Sequence, residues 1–233
     1  MVDTLKNYFN QTTNIQEAEY YLILDLGLHV NNQINEIANY RKQGIKTILL
    51  VFDPAAFNRV YNLIDGNALD KIILFDAQFK NKFKTSVFVS DYFLNKDLFE
   101  ENNNKHENKV CVYGTLGCVG RNNEYNLDIV DKTLDSYEDF YKIVQKYNGV
   151  CVYDTGFNEN FSGLEHYNHV KAVEALMCGV NPYCQPGIKT KRYDKYLKKY
   201  EQIPNPVPID FDQKEIWDLN EITIKELVHE CII

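Results

Sequence analysis

The sequence predicts an α/β fold made of two doubly wound units, each with a parallel sheet covered by helices. Short apolar runs, such as residues 20–26 (YYLILDL) and 46–52 (KTILLVF), are typical of strands buried on both faces. Helical patterns separate consecutive runs, so strands and helices alternate along the chain. The alternation begins again at residue 109, after a very polar segment, and this indicates a second unit.

The elements of the first unit follow from these patterns. A polar stretch covers residues 1–19, and strands are predicted at 20–26, 46–52, 71–75 and 87–89. A helix is predicted at 31–43, with Ile34 and Ile37 facing inward and Gly44 ending it. A second helix opens at Pro54, because proline suits the first helical turn.

The second unit repeats the alternation after residues 95–108, a charged segment that we interpret as a linker or surface loop. Strands are predicted at 109–113, 149–153 and 181–184, and helices at 136–147 and 213–230. The predicted domains are therefore residues 1–105, residues 106–212 and a terminal segment at 213–233.

Composition limits the function classes. The 233 residues carry a net charge of −8, which argues against a protein that coats nucleic acid through bulk electrostatics. The six cysteines form no CxxC pair, so we expect reduced, buried thiols and no zinc site. The first ten residues are polar and no run reaches about 18 apolar residues, so we expect neither a leader nor a membrane span. A cytoplasmic protein is expected, and the Asn, Lys, Ile and Tyr bias is compatible with a viral source.

Residues 161–179 (FSGLEHYNHVKAVEALMCG) are the stretch that points most directly to a ligand. A loop with the small residues Ser162 and Gly163 precedes a helical pattern that Gly179 ends. The unpaired N–H groups at such a helix start suit a phosphate. Lys171 and Glu174 lie three residues apart on one helix face, and a carboxylate there would accept hydrogen bonds from sugar hydroxyls. The combination suits a nucleotide, although the two residues also fit an exposed ion pair.

Residues 169–182 (HVKAVEALMCGVNP) resemble the donor-site helix of GT-B glycosyltransferases. The resemblance implies two Rossmann-like lobes facing a cleft, with the nucleotide sugar held by the C-terminal lobe and the acceptor mainly by the N-terminal lobe. It also implies that the terminal helix crosses back to the first lobe. Glu174 would then bind the ribose hydroxyls, and Lys171 would contact phosphate. Many members carry an acidic residue at the position that His166 occupies here, and a chain of 233 residues would be an unusually small member.

A glycine-rich segment follows the first strand of the second unit, at residues 114–121 (GTLGCVGR). GT-B enzymes often place glycines and a basic residue here against the diphosphate, so the resemblance assigns Gly114, Gly117 and Arg121 to donor binding. We expect Arg121 to stabilise the leaving diphosphate in place of a metal ion, because a guanidinium donates two parallel hydrogen bonds to phosphate. A surface arginine after a glycine-rich turn is the alternative.

Histidines supply the other candidates. His29 follows the first strand, at the carboxyl end of the predicted sheet where ligands of open α/β sheets bind, and it is our candidate for the catalytic base. Asp25 and Asp53 are rivals for that role, and a structural loop histidine is the alternative. His166 and His169 precede or begin the donor helix, so both are candidate contacts to the donor.

Two further motifs are candidates for ligand binding. Asp210-Phe211-Asp212 has the form of the metal-binding DxD motif of the other major glycosyltransferase fold, but it follows a proline tract near the C-terminus. Residues 189–199 (KTKRYDKYLKK) are basic and interleaved with tyrosine, so they suit either a nucleic-acid backbone or a solvated helix face.

These observations favour a compact, metal-independent glycosyltransferase that moves a hexose or pentose from a nucleoside diphosphate sugar to a hydroxyl acceptor. No cofactor is expected beyond the donor. The candidate acceptors are a glycan, a small molecule or a modified DNA base. The sequence leaves open whether the protein forms a homodimer. A non-catalytic nucleotide-binding or interaction protein that retains the fold is the alternative. An enzyme with another nucleotide cofactor is disfavoured, because no dinucleotide fingerprint follows residues 20–26.

Overall fold

The computed structural model describes residues 2–12, 14–25, 30–51, 69–75, 85–103, 107–114, 125–131, 136–152 and 169–233. They belong to two compact units, and the sequence predicts the division between them at residue 105. The N-terminal unit comprises residues 2–91 and 223–233, and the C-terminal unit comprises residues 92–222. Within the described residues each unit contains a parallel sheet, with four strands in the N-terminal unit and five in the C-terminal unit. The predicted α/β fold with two parallel-sheet units is therefore confirmed.

The N-terminal unit is an alternation of helices and parallel strands. Its elements are α1 (Val2–Lys6), a 3-10 turn (Ile15–Glu17), β1 (Tyr20–Asp25), α2 (Val30–Lys42), β2 (Lys46–Val51), β3 (Lys71–Leu74) and β4 (Ser86–Val89). The strand order is β1-β2-β3-β4, so every crossover in the described part of this sheet steps in one direction. Leu49, Leu50, Ile72 and Ile73 are fully buried, as continuous apolar strands require.

The C-terminal unit holds the longer sheet. Its elements are a 3-10 turn (Lys96–Leu98), β5 (Glu107–Gly114), β6 (Asp128–Asp131), α3 (Tyr137–Val144), β7 (Tyr147–Val152), α4 (His169–Met177), β8 (Asn181–Cys184), a 3-10 turn (Asp194–Tyr196), β9 (Lys198–Lys199), a 3-10 turn (Tyr200–Gln202) and α5 (Gln213–Ile232). Helix α5 begins in this unit, and its residues from 223 onward belong to the N-terminal unit. Ser136 caps α3, because its hydroxyl accepts the backbone N–H of Asp139 at 3.2 Å.

The end of α5 is tied to the strands of the N-terminal unit. The Lys46 ammonium lies 3.3 Å from the carbonyl oxygens of both Ile232 and Ile233. The Lys71 ammonium pairs with the Glu230 carboxylate at 3.3 Å, and its side chain is only 16% exposed. The Lys71 ammonium also donates to the backbone carbonyl of Glu230. The bonds from the two ammonium groups to backbone oxygens satisfy acceptors that a helix C-terminus leaves without an intrahelical partner.

Strand β7 packs closely against β8 at a position that only glycine can occupy. A Cβ added to Gly149 would lie 2.4 Å from Cε2 of Tyr183 and 2.5 Å from the carbonyl oxygen of Asn181. The neighbouring side chains Cys111, Val150 and Cys151 are fully buried. The centre of this sheet is therefore a close-packed core with no room for a larger side chain.

The predicted strands are all present, within one or two residues of the bounds drawn from the apolar runs. The predicted helices near 31–43, 136–147 and 213–230 are also present, whereas the helix predicted to open at Pro54 lies outside the described residues. Strands β6 and β9 were not predicted. None of the helices in the described ranges combines the length and the apolar content that a bilayer crossing needs.

Candidate functional site

The order of strands reverses at the centre of the C-terminal sheet. The order is β6-β5-β7-β8-β9, and every neighbouring pair is parallel. From β5 the chain moves outward to β6, and it then returns past β5 to β7 on the other side. In open α/β sheets a ligand binds at such a reversal, outside the carboxyl ends of the two strands. We therefore take the ends of β5 and β7, at Gly114 and Val152, as the candidate site.

Most of the predicted site residues lie on segments outside the described residues. The segments leaving β5 and β7 are residues 115–124 and 153–168, and residues 26–29 follow β1. Predictions for these positions concern Gly117, Arg121, Ser162, Gly163, His166 and His29. Gly114 is the last residue of β5, and His169 is the first residue of α4. The roles assigned to all eight residues stay predictions.

Lys171 reaches the end of β5 from the first turn of α4. Its ammonium donates a hydrogen bond to the carbonyl oxygen of Tyr113 at 3.1 Å, and it lies 5.6 Å from the centre of the Tyr113 ring. Tyr113 is the residue before the end of β5, and the Lys171 side chain is partly exposed. An ammonium can donate three hydrogen bonds, so the bond to Tyr113 does not by itself exhaust it. The structure thus brings a cation to the carboxyl end of β5.

Glu174 lies one turn further along α4 and is buried, with 4% of its surface exposed. The Tyr113 hydroxyl donates to one carboxylate oxygen at 2.7 Å, and the Tyr141 hydroxyl of α3 donates to the other at 3.0 Å. Burial first, and the Glu174 charge second, raise the pKa of Tyr113 and of Tyr141 well above the usual range. Both hydroxyls therefore keep their protons at neutral pH and act as donors.

This geometry changes the interpretation of the Lys171 and Glu174 pair. Lys171 and Glu174 do not form an exposed ion pair, because Glu174 is buried. The ribose-binding role of Glu174 stays a prediction, and it requires sugar hydroxyls to join or replace those of Tyr113 and Tyr141. Sequence reasoning missed both tyrosines, which lie 61 and 33 residues from Glu174 in the chain.

The other end of α4 is fixed by side chains that the sequence did not point to. Gly179 has a φ of 72°, and the N–H of Val180 bonds to the carbonyl of Ala175 at 3.0 Å. This is the glycine-dependent helix end that the sequence predicts. The Gln213 amide and the Trp217 indole N–H both donate to the carbonyl of Met177, at 2.5 and 3.3 Å. Helix α4 is therefore anchored at both ends.

The DxD motif has structural partners. Both oxygens of Asp210 accept from the Lys198 ammonium, at 2.7 and 2.8 Å. Asp212 accepts the backbone N–H of Lys214 at 2.9 Å, at the start of α5, and the ring of Phe211 packs against Tyr196. Within the described ranges no group of three or more His, Cys, Asp or Glu side chains is arranged to hold a metal ion.

Two lysines of the basic segment 189–199 pair with acidic groups of the same unit, and the segment contains a 3-10 turn and a short strand rather than an α-helix face. Lys195 bonds to Glu215 at 2.9 Å, and Lys198, with an 11% exposed side chain, bonds to Asp210. Lys198 and Lys199 form β9 at the edge of the sheet, where lysines discourage pairing with another chain. These contacts give two of the basic side chains a structural role.

A groove of about 820 Å³ lies in the N-terminal unit, and the residues that line it include Tyr8, Phe9, Tyr20, Tyr21 and Tyr40. Because its lining comes from the first residues of β1 and the residue before β2, it lies at the amino ends of the parallel strands. Ligands of such sheets bind at the carboxyl ends. We therefore do not place the candidate site in this groove.

The described cysteines are packing residues. Cys111, Cys151, Cys178, Cys184 and Cys231 are buried thiols outside any disulfide. Burial raises the pKa of Cys111 and Cys184 above the usual range and raises that of Cys231 to about 12. These side chains stay protonated thiols at neutral pH, so nucleophilic or metal-ligand chemistry is not favoured at them.

Two comparisons with known proteins found no match. No protein-family model matches the sequence, and no curated protein is similar to it. What can be said about function therefore depends on the residues and their geometry.

Proposed function

We propose that the protein is a compact glycosyltransferase of the GT-B type, which transfers a sugar from a nucleoside diphosphate sugar to a hydroxyl acceptor. One observation carries the proposal. The sheet of the C-terminal unit reverses its strand order between β5 and β7, and the Lys171 ammonium lies against the end of β5. A parallel-strand crevice with a cation at its rim suits the phosphates of a nucleotide. The resemblance of residues 169–182 to a donor-site helix points to the same unit.

The proposed reaction needs charge stabilisation at the diphosphate. The bond between the anomeric carbon and the diphosphate oxygen breaks, and its electron pair leaves with the diphosphate. The acceptor oxygen forms the new bond to the anomeric carbon, and its proton passes to a base, for which His29 is the candidate. Lys171 and Arg121 would stabilise the negative charge on the leaving group, which catalyses the step when the contact is strongest in the transition state.

Calorimetric titration with UDP and GDP tests the donor site. We expect one of them to bind the wild-type protein, and Lys171→Gln to weaken that binding by about 10- to 150-fold, since hydrogen bonds to charged groups contribute about 1.5–3 kcal/mol. Lys142→Gln is the matched control, because Lys142 is exposed on α3 and its side chain pairs with Glu100. The proposal fails if neither diphosphate binds, or if both variants behave alike.

A non-catalytic nucleotide-binding protein is the second candidate, and one observation favours it. Both oxygens of the predicted ribose ligand, Glu174, are already held by tyrosine hydroxyls. A chain that kept the fold but lost transfer would tolerate that arrangement. Hydrolysis and transfer assays with UDP-glucose and GDP-mannose separate the candidates. Release of UDP or GDP from these donors supports a transferase, whereas binding of the donors without turnover supports the second candidate.

A further inference from the structure

Tyr113 and Lys171 hold one another through reciprocal contacts. The Lys171 ammonium donates to the backbone carbonyl of Tyr113 at 3.1 Å, and the Tyr113 hydroxyl lies 3.2 Å from the backbone carbonyl of Lys171. A hydroxyl has one proton to donate. The nearer acceptor of that proton is the Glu174 carboxylate, at 2.7 Å. Both acceptors are on α4, so either bond ties this helix to the end of β5.

A second tyrosine completes the arrangement from α3. Tyr141 donates to the other oxygen of Glu174 at 3.0 Å, and its ring packs against Phe99 with ring centres 4.4 Å apart. The ring of Phe140 lies edge-on to Tyr113 at 5.1 Å. Tyr113, Tyr141 and Glu174 are each less than 5% exposed. Their rotamers are therefore fixed by packing, which a precise positioning contact requires.

We propose that Tyr113 and Tyr141 are positioning residues. They act through the buried Glu174 carboxylate to hold the Lys171 ammonium at the carboxyl end of β5, where it would bind a ligand phosphate. The inference rests on the proposed nucleotide site and adds a role for Glu174 that needs no contact with the ligand. Glu174 serves here as the shared acceptor that joins β5, α3 and α4. The phosphate would meet Lys171, and the three buried side chains would set where that ammonium lies.

A double-mutant cycle tests this inference with UDP or GDP, whichever binds the wild-type protein more tightly. Tyr113→Phe and Tyr141→Phe each remove one hydroxyl and keep the ring, and each is made in the wild-type and Lys171→Gln backgrounds. We expect Tyr113→Phe to weaken binding by about 3- to 10-fold in the wild-type background, because residues in one network couple. In the Lys171→Gln background we expect less than about a twofold loss, because the positioned group is gone.

Tyr137→Phe is the matched control, since Tyr137 lies on the same helix as Tyr141 and is 58% exposed. It should leave affinity unchanged in both backgrounds. An equal loss from Tyr113→Phe in both backgrounds would overturn the positioning role, because a purely structural tyrosine does not depend on Lys171. If Tyr113→Phe fails to fold, the same comparison for Tyr141→Phe decides. If neither diphosphate binds the wild-type protein, the proposed function fails and this inference fails with it.

Discussion

Glu174→Ala should destabilise the C-terminal unit more than the loss of an ordinary helix residue. The substitution removes the acceptor of two buried hydroxyls. The Tyr113 hydroxyl has a second acceptor in reach, the Lys171 carbonyl at 3.2 Å, so the larger loss falls on Tyr141. One buried hydroxyl left without its acceptor costs about 1–3 kcal/mol. The space left by the side chain adds a cavity cost, so we expect the free energy of unfolding to fall by about 2–4 kcal/mol.

Trp217 gives this prediction a local assay. It is the only tryptophan in the chain, and its indole N–H bonds to the carbonyl of Met177 at the end of α4. Its fluorescence during guanidinium unfolding therefore reports on the helix that carries Glu174. Tyr141→Phe should cost less than Glu174→Ala, because it leaves Glu174 with the Tyr113 bond. In the Glu174→Ala background, Tyr141→Phe should be neutral or stabilising, because it removes the hydroxyl that has lost its acceptor.

Two results would contradict the dependence of the tyrosine hydroxyls on Glu174. One is a Glu174→Ala protein within about 0.5 kcal/mol of the wild type, which is the usual effect of a surface substitution. The other is a Tyr141→Phe effect of the same size in both backgrounds. Either result would mean that the two hydroxyls do not depend on this carboxylate.

The C-terminal unit offers three further tests. Gly149→Ala should lower the melting temperature by more than about 10 °C, because its Cβ would overlap the Tyr183 ring; an unchanged melting temperature contradicts the packing. Stability should fall above about pH 10, where unfolded tyrosines ionise while Tyr113 and Tyr141, with raised pKa values, keep their protons; unfolding curves at pH 9 and 11 check this, and the double phenylalanine variant should lose less. Asp210→Asn should change the free energy of unfolding by less than about 1 kcal/mol, because Asp210 takes part in an ion pair with Lys198 at the surface. The shift of the melting temperature on adding Mn²⁺ should be the same for the variant and the wild type; a shift that is lost in the variant would restore the metal-site interpretation of Asp210-Phe211-Asp212.

Local features of the structure were accessible from the sequence. Strands buried on both faces are continuous apolar runs, so residues 46–51 and 71–74 could be identified without tertiary information. The end of α4 was equally accessible, because a helix that stops in a left-handed turn favours glycine, and Gly179 has a φ of 72°. Both signals depend only on residues adjacent in the chain.

The strand order of the C-terminal sheet could not be predicted from the sequence, because it depends on β6, whose apolar pattern is weak. Strand β6 reads Asp128-Ile129-Val130-Asp131, with only two apolar residues, and Ile129 is 37% exposed at the sheet edge. An edge strand of this kind does not need a continuous apolar run. Yet the position of β6 beside β5 creates the reversal on which the candidate site depends. The strands with the strongest apolar signal are thus not the ones that decide the strand order.

Side-chain pairing was also beyond the sequence. Lys198 and Lys195 belong to a basic run that suits nucleic acid, but their partners Asp210 and Glu215 lie 12 and 20 residues away. A charge run is neutralised or exposed according to tertiary contacts, which composition does not record. The partners of Glu174 were unpredictable for the same reason. Helical periodicity assigns Glu174 to a polar face, but the tyrosines that bury it come from β5 and α3.

Burial along α4 limits how this helix can take part in ligand binding. The sequence predicts one apolar face, but every residue from Ala172 to Val180 is buried, so the helix is enclosed on all sides from its second turn onward. Val170 and Lys171 are partly exposed. A ligand that meets α4 in this conformation therefore meets its first turn, where Lys171 is the charged group. Glu174 then influences the ligand only by holding that turn in place, unless the tyrosine bonds open. The cycle between Tyr113 and Lys171 distinguishes these two cases, because a ribose contact at Glu174 would survive the loss of Lys171 and a positioning role would not.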